Sequence, residues 1–253
     1  MAFSWSALAQ IGGLLFVVLF VIVMLIRRAF GSPEPGRDLR PIRAFSRLRR
    51  AVLLTVESGR RLHVSLGRGE ITGERSAIAF SGLSALQPLA EATSLSDKPT
   101  IVTSGTGPLG ILSRSTLYSG YRRSRSTGRY RPTQGRVSGL TPFSYAVGAL
   151  LDADREQVST NFLIGSFGAE IGLLAEPSRT AGALTVAGTD NIPGQAVAYA
   201  AADEPLIGEE AYASGAYAGA GGLHGASLFT QDLFRWLIIA IIIGGAIAKL
   251  IGS

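Results

Sequence analysis

The sequence predicts an α/β domain with a mainly parallel sheet and flanking helices, held between an N-terminal and a C-terminal transmembrane helix. Three observations predict it. Short β-branched runs alternate with longer helix-like segments through the middle of the chain, the pattern of βαβ units. Glycines follow the strand-like runs, at Gly67 and Gly69, Gly105 and Gly107, Gly165 and Gly168, and Gly188, where the chain must turn sharply from strand to helix. Long apolar stretches close both ends.

The chain has 253 residues, of which 47% are apolar and only 17% charged, against about a quarter charged in ordinary soluble domains. That length holds one domain of usual size with accessory segments. There is no cysteine, which excludes disulfides, thiolate catalysis and cysteine-ligated metal centres. The two histidines, His63 and His224, are far apart and make no metal-ligand cluster; no metal and no cofactor is expected. The net charge of +6 is unevenly spread. No acid lies between Lys98 and Leu151, a stretch holding Arg114, Arg122, Arg123, Arg125, Arg129, Arg131 and Arg136. From Asp152 to Asp232 eleven acids face only Arg155 and Arg179. Such halves either cancel within the fold or offer opposite faces to neighbouring copies.

Taken in order, Ala7 to Ile26 is uncharged and long enough to span a hydrocarbon core of about 30 Å. It lacks the basic start and small-residue cleavage site of a signal peptide, so it reads as an uncleaved span. Arg27, Arg28, Arg37, Arg40 and Arg43 follow it, which by the positive-inside rule places the domain in the cytoplasm. Arg47, Arg49 and Arg50 extend this basic run, which reads as a contact to anionic headgroups. "GSPEPGRDLRP" (31–41) is a linker. "AVLLTVES" (51–58) fits strand or helix. "RLHVSLG" (61–67) is a strand, and Ser76 to Ser94 a helix that Pro88 should kink or break.

"TIVTSG" is the next strand, Pro108 to Tyr121 the next helix. A basic ribbon leads to a short strand at Arg136 to Leu140. Thr141 caps a helix with Pro142 in its first turn, whose expected buried stripe is Phe143, Ala146, Val147, Leu150 and Leu151. "STNFLIGSF" (159–167) is a buried strand, "GAEIGLLAEP" a short helix ended by Pro177, and "ALTVAGT" (183–189) a strand. Helical segments fill much of Pro193 to Ala218. The C-terminal run has an uncharged core from Trp236 to Ala248, flanked by Arg235 and extended by a snorkelling Lys249. These readings divide the chain into a helix at 1–28, a basic linker at 29–50, a cytoplasmic domain at 51–230 and a second helix at 231–253.

Few constellations carry chemistry. Gly105, Gly107 and Gly110 have the G-x-G-x-x-G spacing of a dinucleotide turn, following a strand and opening a helix, where backbone amides would meet a pyrophosphate. Against that reading, Pro108 removes one donor, and no acid follows at the distance where a ribose is bound. Arg122, Arg123 and Arg125 offer a place for an extra phosphate instead. Glu170 follows a buried strand at the sheet's carboxyl edge and is a candidate ligand contact. Asp203 and Glu204 read as the acidic start of a helix. There is no G-x-x-x-x-G-K-[ST] loop and no G-x-S-x-G elbow, so no catalytic residue set is named. His63, alone on a strand, reads as core or surface filler. The segment containing Tyr118, Tyr121 and Tyr130 among Arg122, Arg123, Arg125 and Arg129 would stack on nucleic acid in a soluble protein. Beside a membrane it is expected to face lipid or another subunit.

The run "NFLIGSFGAEIGLLAE", then "TVAGT", "EPLIGEEAYASGAYAG" and "ASLFTQDLFRWLIIAIII", resembles an uncharacterised family of bacterial membrane proteins. That family is known only as a domain of unknown function, with an N-terminal anchor and a hydrophobic tail. The resemblance runs from about Arg61 to the end and implies no activity. The expectation is a non-enzymatic scaffold or subunit of an oligomeric complex in the bacterial cytoplasmic membrane, in contact with lipids and with copies of itself. The rival expectation is a nucleotide- or phosphometabolite-binding membrane enzyme using the Gly105–Gly110 turn.

Overall fold

The computed structural model describes residues 5–30, 39–73 and 75–251; most of the linker at 31–41, with Arg37, lies outside them. The chain divides into two compact units, the terminal segments up to Leu39 and from Gly221 in one, and Arg40–Ala220 in the other.

The terminal unit is a pair of helices, α1 (Trp5–Phe30) and α10 (Gly222–Ile251). Phe16 and Phe20 meet the ring of Phe234, and the Arg27 guanidinium lies 4.5 Å from the ring centre of Phe229. Rising numbers on α1 meet falling numbers on α10, so the pair is antiparallel. Both helices are long and apolar enough to cross a membrane, and side chains such as Leu14, Val17, Ile241 and Ile242 stay exposed on the pair. A surface of that kind suits an apolar surrounding such as a bilayer interior. His224, read as a loop residue, stands in the first turn of α10.

The second unit is an α/β domain with a six-stranded parallel sheet. Its strands are β1 (Arg61–Gly67), β2 (Ile101–Ser104), β3 (Gly135–Val137), β4 (Val158–Ser166), β5 (Leu184–Thr189) and β6 (Glu204–Leu206). They lie in the order β3-β2-β1-β4-β5-β6, with parallel pairing throughout. The order reverses between β1 and β4, the switch point of a doubly wound sheet. One face is covered by α2 (Arg43–Glu57), α3 (Ser76–Thr93), α4 (Gly107–Arg123) and the short α8 (Glu209–Tyr212) and α9 (Ser214–Ala218). Leu62, Val64, Leu66, Val102, Phe162, Ile164 and Val186 point into that core. The other face carries α5 (Pro142–Arg155), α6 (Ile171–Thr180) and α7 (Ile192–Ala201).

Several elements differ from the sequence reading. The ambiguous run at 51–58 is helical, and α2 starts at Arg43, within the stretch read as linker. Pro88 does not end α3, which continues to Thr93, and Pro177 lies inside α6. In each, one backbone bond is lost, but flanking residues on both sides are buried (Leu86 and Leu89; Leu174, Ala175 and Ser178), and packing outweighs the local cost of about 3 kcal/mol. β6 was not foreseen. Asp203 does not start a helix: its carboxylate accepts from the Thr185 amide at 2.9 Å, and Glu204 opens β6 beside β5.

The stripe expected for α5 holds only at Ala146, which is buried, and Leu150, which packs against the core. Phe143, Val147 and Leu151 are 66%, 48% and 49% exposed, whereas Tyr145, Ala146, Ala149 and Ala153 are buried. Small side chains are needed where α5 comes close to its neighbours. A Cβ at Gly148 would meet the Ser138 carbonyl oxygen at 2.0 Å.

Candidate functional site

Under α5 the sheet presents polar side chains rather than aliphatic ones. His63, Ser65, Thr103 and Asn161 are all buried, with the Tyr145 hydroxyl above them. His63 Nδ1 is 2.7 Å from Asn161 Oδ1, and its Nε2 is 2.8 Å from Thr103 Oγ1. An amide oxygen only accepts, so Nδ1 carries the proton and Nε2 accepts from the Thr103 hydroxyl. The Tyr145 oxygen lies 2.6 Å from Ser65 Oγ, accepts from the Gly67 amide at 3.2 Å and donates to the Thr103 carbonyl at 3.2 Å. Burial pushes the His63 pKa down to about 4, against the raising effect of its Asn161 bond. Burial also raises Tyr145 to about 12. The network is a fully satisfied, neutral support for the end of β1.

That end is where the candidate site lies. Gly67 has φ +64°, and a Cβ there would meet the Ser166 carbonyl oxygen at 2.5 Å, so only glycine fits. The Arg68 amide donates to Ser166 O at 3.0 Å, and the Gly105 amide donates to Gly67 O at 2.8 Å. The Thr106 hydroxyl donates to Gly69 O at 3.3 Å. The exits of β1, β2 and β4 are thereby tied together across the switch point.

The three glycines of the sequence motif have separate roles. Gly105 packs under the stem of Arg68, whose Cγ would be 2.2 Å from a Cβ there. Gly107, at the start of α4, is exposed with open space around it. Gly110 lets α4 approach β3, since a Cβ would meet Val137 Cγ2 at 2.7 Å. Tight turn, open approach and close helix–strand packing are the roles the glycines have in a phosphate-binding turn, although here the turn follows β2. The first amides of α4 have no intrahelical partner, and Pro108 contributes none.

Arg68 was missed by the sequence reading. It stands between Gly67 and Gly69, half-buried, and its Nε is buried with no hydrogen-bond partner among the described residues. The visible signal was the G-R-G at the exit of β1. Glu170 does lie at the carboxyl edge, 8% exposed, with Oε1 accepting from the Gly168 amide at 2.9 Å. Its carboxylate holds its own turn.

The other sequence candidates are dispersed. Arg123 pairs with Glu91 at 3.1 Å; Arg129 donates to the Leu95 carbonyl at 2.9 Å and lies 3.9 Å from Asp97. Arg122 and Arg125 are exposed. Tyr130 packs edge-on against Tyr118 and Tyr121, and Tyr121 is buried, so these rings are not an open stacking platform. Arg27 covers Phe229, and Arg28 lies beside Gly222. No cluster of metal-ligating side chains occurs among the described residues. A groove of about 450 Å³ between α6 and α7 is lined mainly by small apolar side chains with Glu176 and Arg179.

Opposite charges meet inside the domain. Arg136 pairs with Asp152 at 2.9 Å and with Glu156, which also lies 3.4 Å from Arg61. Arg43 and Arg47 reach Glu204 at 3.1 and 2.6 Å, and Arg40 reaches Glu210 at 3.0 Å.

Over residues 2–253 the sequence matches the family described as a domain of unknown function (DUF6754), and the chain belongs to that family. No curated protein and no solved structure matches it.

Proposed function

We propose that this member of the DUF6754 family is a membrane-anchored ligand-binding subunit. Its α/β domain lies on the cytoplasmic side and takes a small phosphate-bearing molecule, a nucleotide or a phosphorylated metabolite, at the exits of β1 and β2. The observation that supports this reading best is Arg68. Its Nε is buried and unpartnered, and its stem packs on Gly105, two residues before the open start of α4 at Gly107 and next to the switch point. A phosphate there would complete the missing hydrogen bond and face the positive end of a helix of 17 residues.

Thermal unfolding of the full chain in mild detergent, with inorganic phosphate, nucleotides and unphosphorylated nucleosides, tests the proposal. A phosphate-bearing ligand should raise the midpoint and the nucleosides should not. Arg68→Ala and Gly107→Val should both abolish the rise. Gly107→Val should leave the ligand-free midpoint nearly unchanged, because position 107 has open space around it, whereas Arg68→Ala also gives up the packing of its stem on Gly105 and should lower that midpoint. A panel with no shift, or a shift that survives Arg68→Ala, would sink the idea.

A second reading, a scaffold subunit that contacts copies of itself, is favoured by the apolar stripe of Phe143, Val147 and Leu151 on α5, with exposed Leu140 just before it.

A further inference from the structure

Helix α2 has two unlike faces. Ala44, Phe45, Leu48, Val52 and Thr55 are buried against the sheet. Arg49, Arg50, Leu53 and Leu54 are exposed, the two leucines at 60% and 55%. Nearer its start, Arg43 and Arg47 are committed to Glu204, and Arg40 just before it to Glu210. Arg49 and Arg50 make no ion pair among the described residues. Adjacent leucines beside uncommitted arginines form the mixed surface that settles into a headgroup layer.

The connections of the domain single out the same helix. The Tyr217 hydroxyl donates to the Arg40 carbonyl at 2.6 Å, and the Tyr217 ring stacks on Phe45 at 4.7 Å. The incoming chain at Arg40 and the outgoing chain after Tyr217 are therefore held together at the first turns of α2. The outgoing chain enters α10 at Gly222. Within the helix pair, Phe229 lies under Arg27 at the basic end of α1. From Gly222 to Phe229 is about 10 Å of helix at 1.5 Å per residue. Both connections of the domain thus leave it at the first turns of α2.

We propose that the outward face of α2 lies on an anionic bilayer surface, with Arg49 and Arg50 at lipid phosphates and Leu53 and Leu54 in the boundary between headgroups and acyl chains. The proposal rests on α1 and α10 being spans.

The chain has no cysteine, so one introduced thiol reports one position. The full chain carrying Leu54→Cys, labelled with an environment-sensitive dye, is placed in nanodiscs of phosphatidylcholine alone or mixed with phosphatidylglycerol. Leu53→Cys serves as a second site, and Tyr199→Cys on α7, also exposed, as the control. The dye at position 54 or 53 should become several-fold brighter and blue-shifted in the mixed discs only. Added salt or Arg49→Glu with Arg50→Glu should reverse the change, and the control should not move. Equal spectra at positions 53 and 54 in both bilayers would overturn the proposal. So would a blue shift already present in detergent that fades on dilution, because a second copy would then cover the face. Failure to enter nanodiscs at all would instead refute the spanning helices.

Discussion

At the scale of single residues, the domain places polar groups where a doubly wound sheet usually places aliphatic ones. His63 shows what that costs. Its folded pKa is near 4 and its ordinary value 6.5. Between those values the unfolded chain binds a proton that the native chain does not, so stability is full above pH 6.5 and falls as the pH drops toward 4. The loss attributable to this side chain is roughly 3 kcal/mol. Denaturant unfolding of the full chain in detergent should therefore show a steep decline between pH 6.5 and 4, and His63→Gln should flatten that part of the profile. An unchanged slope in the variant would mean that other groups account for the decline. Lone on its strand, His63 reads as core or surface filler, and it is buried; its partners Asn161 and Thr103, 98 and 40 residues away, are not legible there, since only strand pairing brings them together.

At the scale of elements, α5 is the instructive case. Its limits and its cap were legible: Thr141 accepts from the Ser144 amide, and Pro142 occupies the first turn. Its buried face was legible only at Ala146 and Leu150. Large apolar residues at helical spacing suggested one face inward, but the close approach at Gly148 admits alanines and turns Phe143, Val147 and Leu151 outward. Replacing these three with serine should change stability by about 0.5 kcal/mol or less each, as for exposed positions. Ala149→Leu should cost about 1–3 kcal/mol by overpacking. Chemical denaturation of the four variants checks both statements. The triple serine variant also tests the second reading, because a scaffold held together through this stripe should then migrate as a smaller species in size-exclusion chromatography.

At the scale of the whole molecule, two units of different character share one chain. The arginines after α1 motivate a cytoplasmic domain. Ile111→Cys, at an exposed site on α4, should react with a membrane-impermeant maleimide only after cells are permeabilised. Reaction in intact cells would reverse the orientation. The domain's halves of opposite charge partly cancel within it through Arg136 with Asp152 and Glu156, and the acidic half is further met by Arg40, Arg43 and Arg47, which pair with Glu210 and Glu204. The last three join the start of the domain to its far edge and leave fewer free charges for contacts between copies.

The alternation of strands and helices, the glycine-built turns and the apolar ends are legible in the amino-acid order alone, because each is a local matter of backbone freedom, side-chain branching or hydropathy. That order placed Gly105, Gly107 and Glu170 at strand exits for the same reason, with Gly110 in the first turn of the helix that follows. Tertiary structure alone decided the strand order β3-β2-β1-β4-β5-β6, the position of Arg68 over Gly105, the direction in which α5 faces and the survival of α3 across Pro88. These depend on which distant segments share a surface. There, the volume available and the polar partners within reach override what any short stretch prefers.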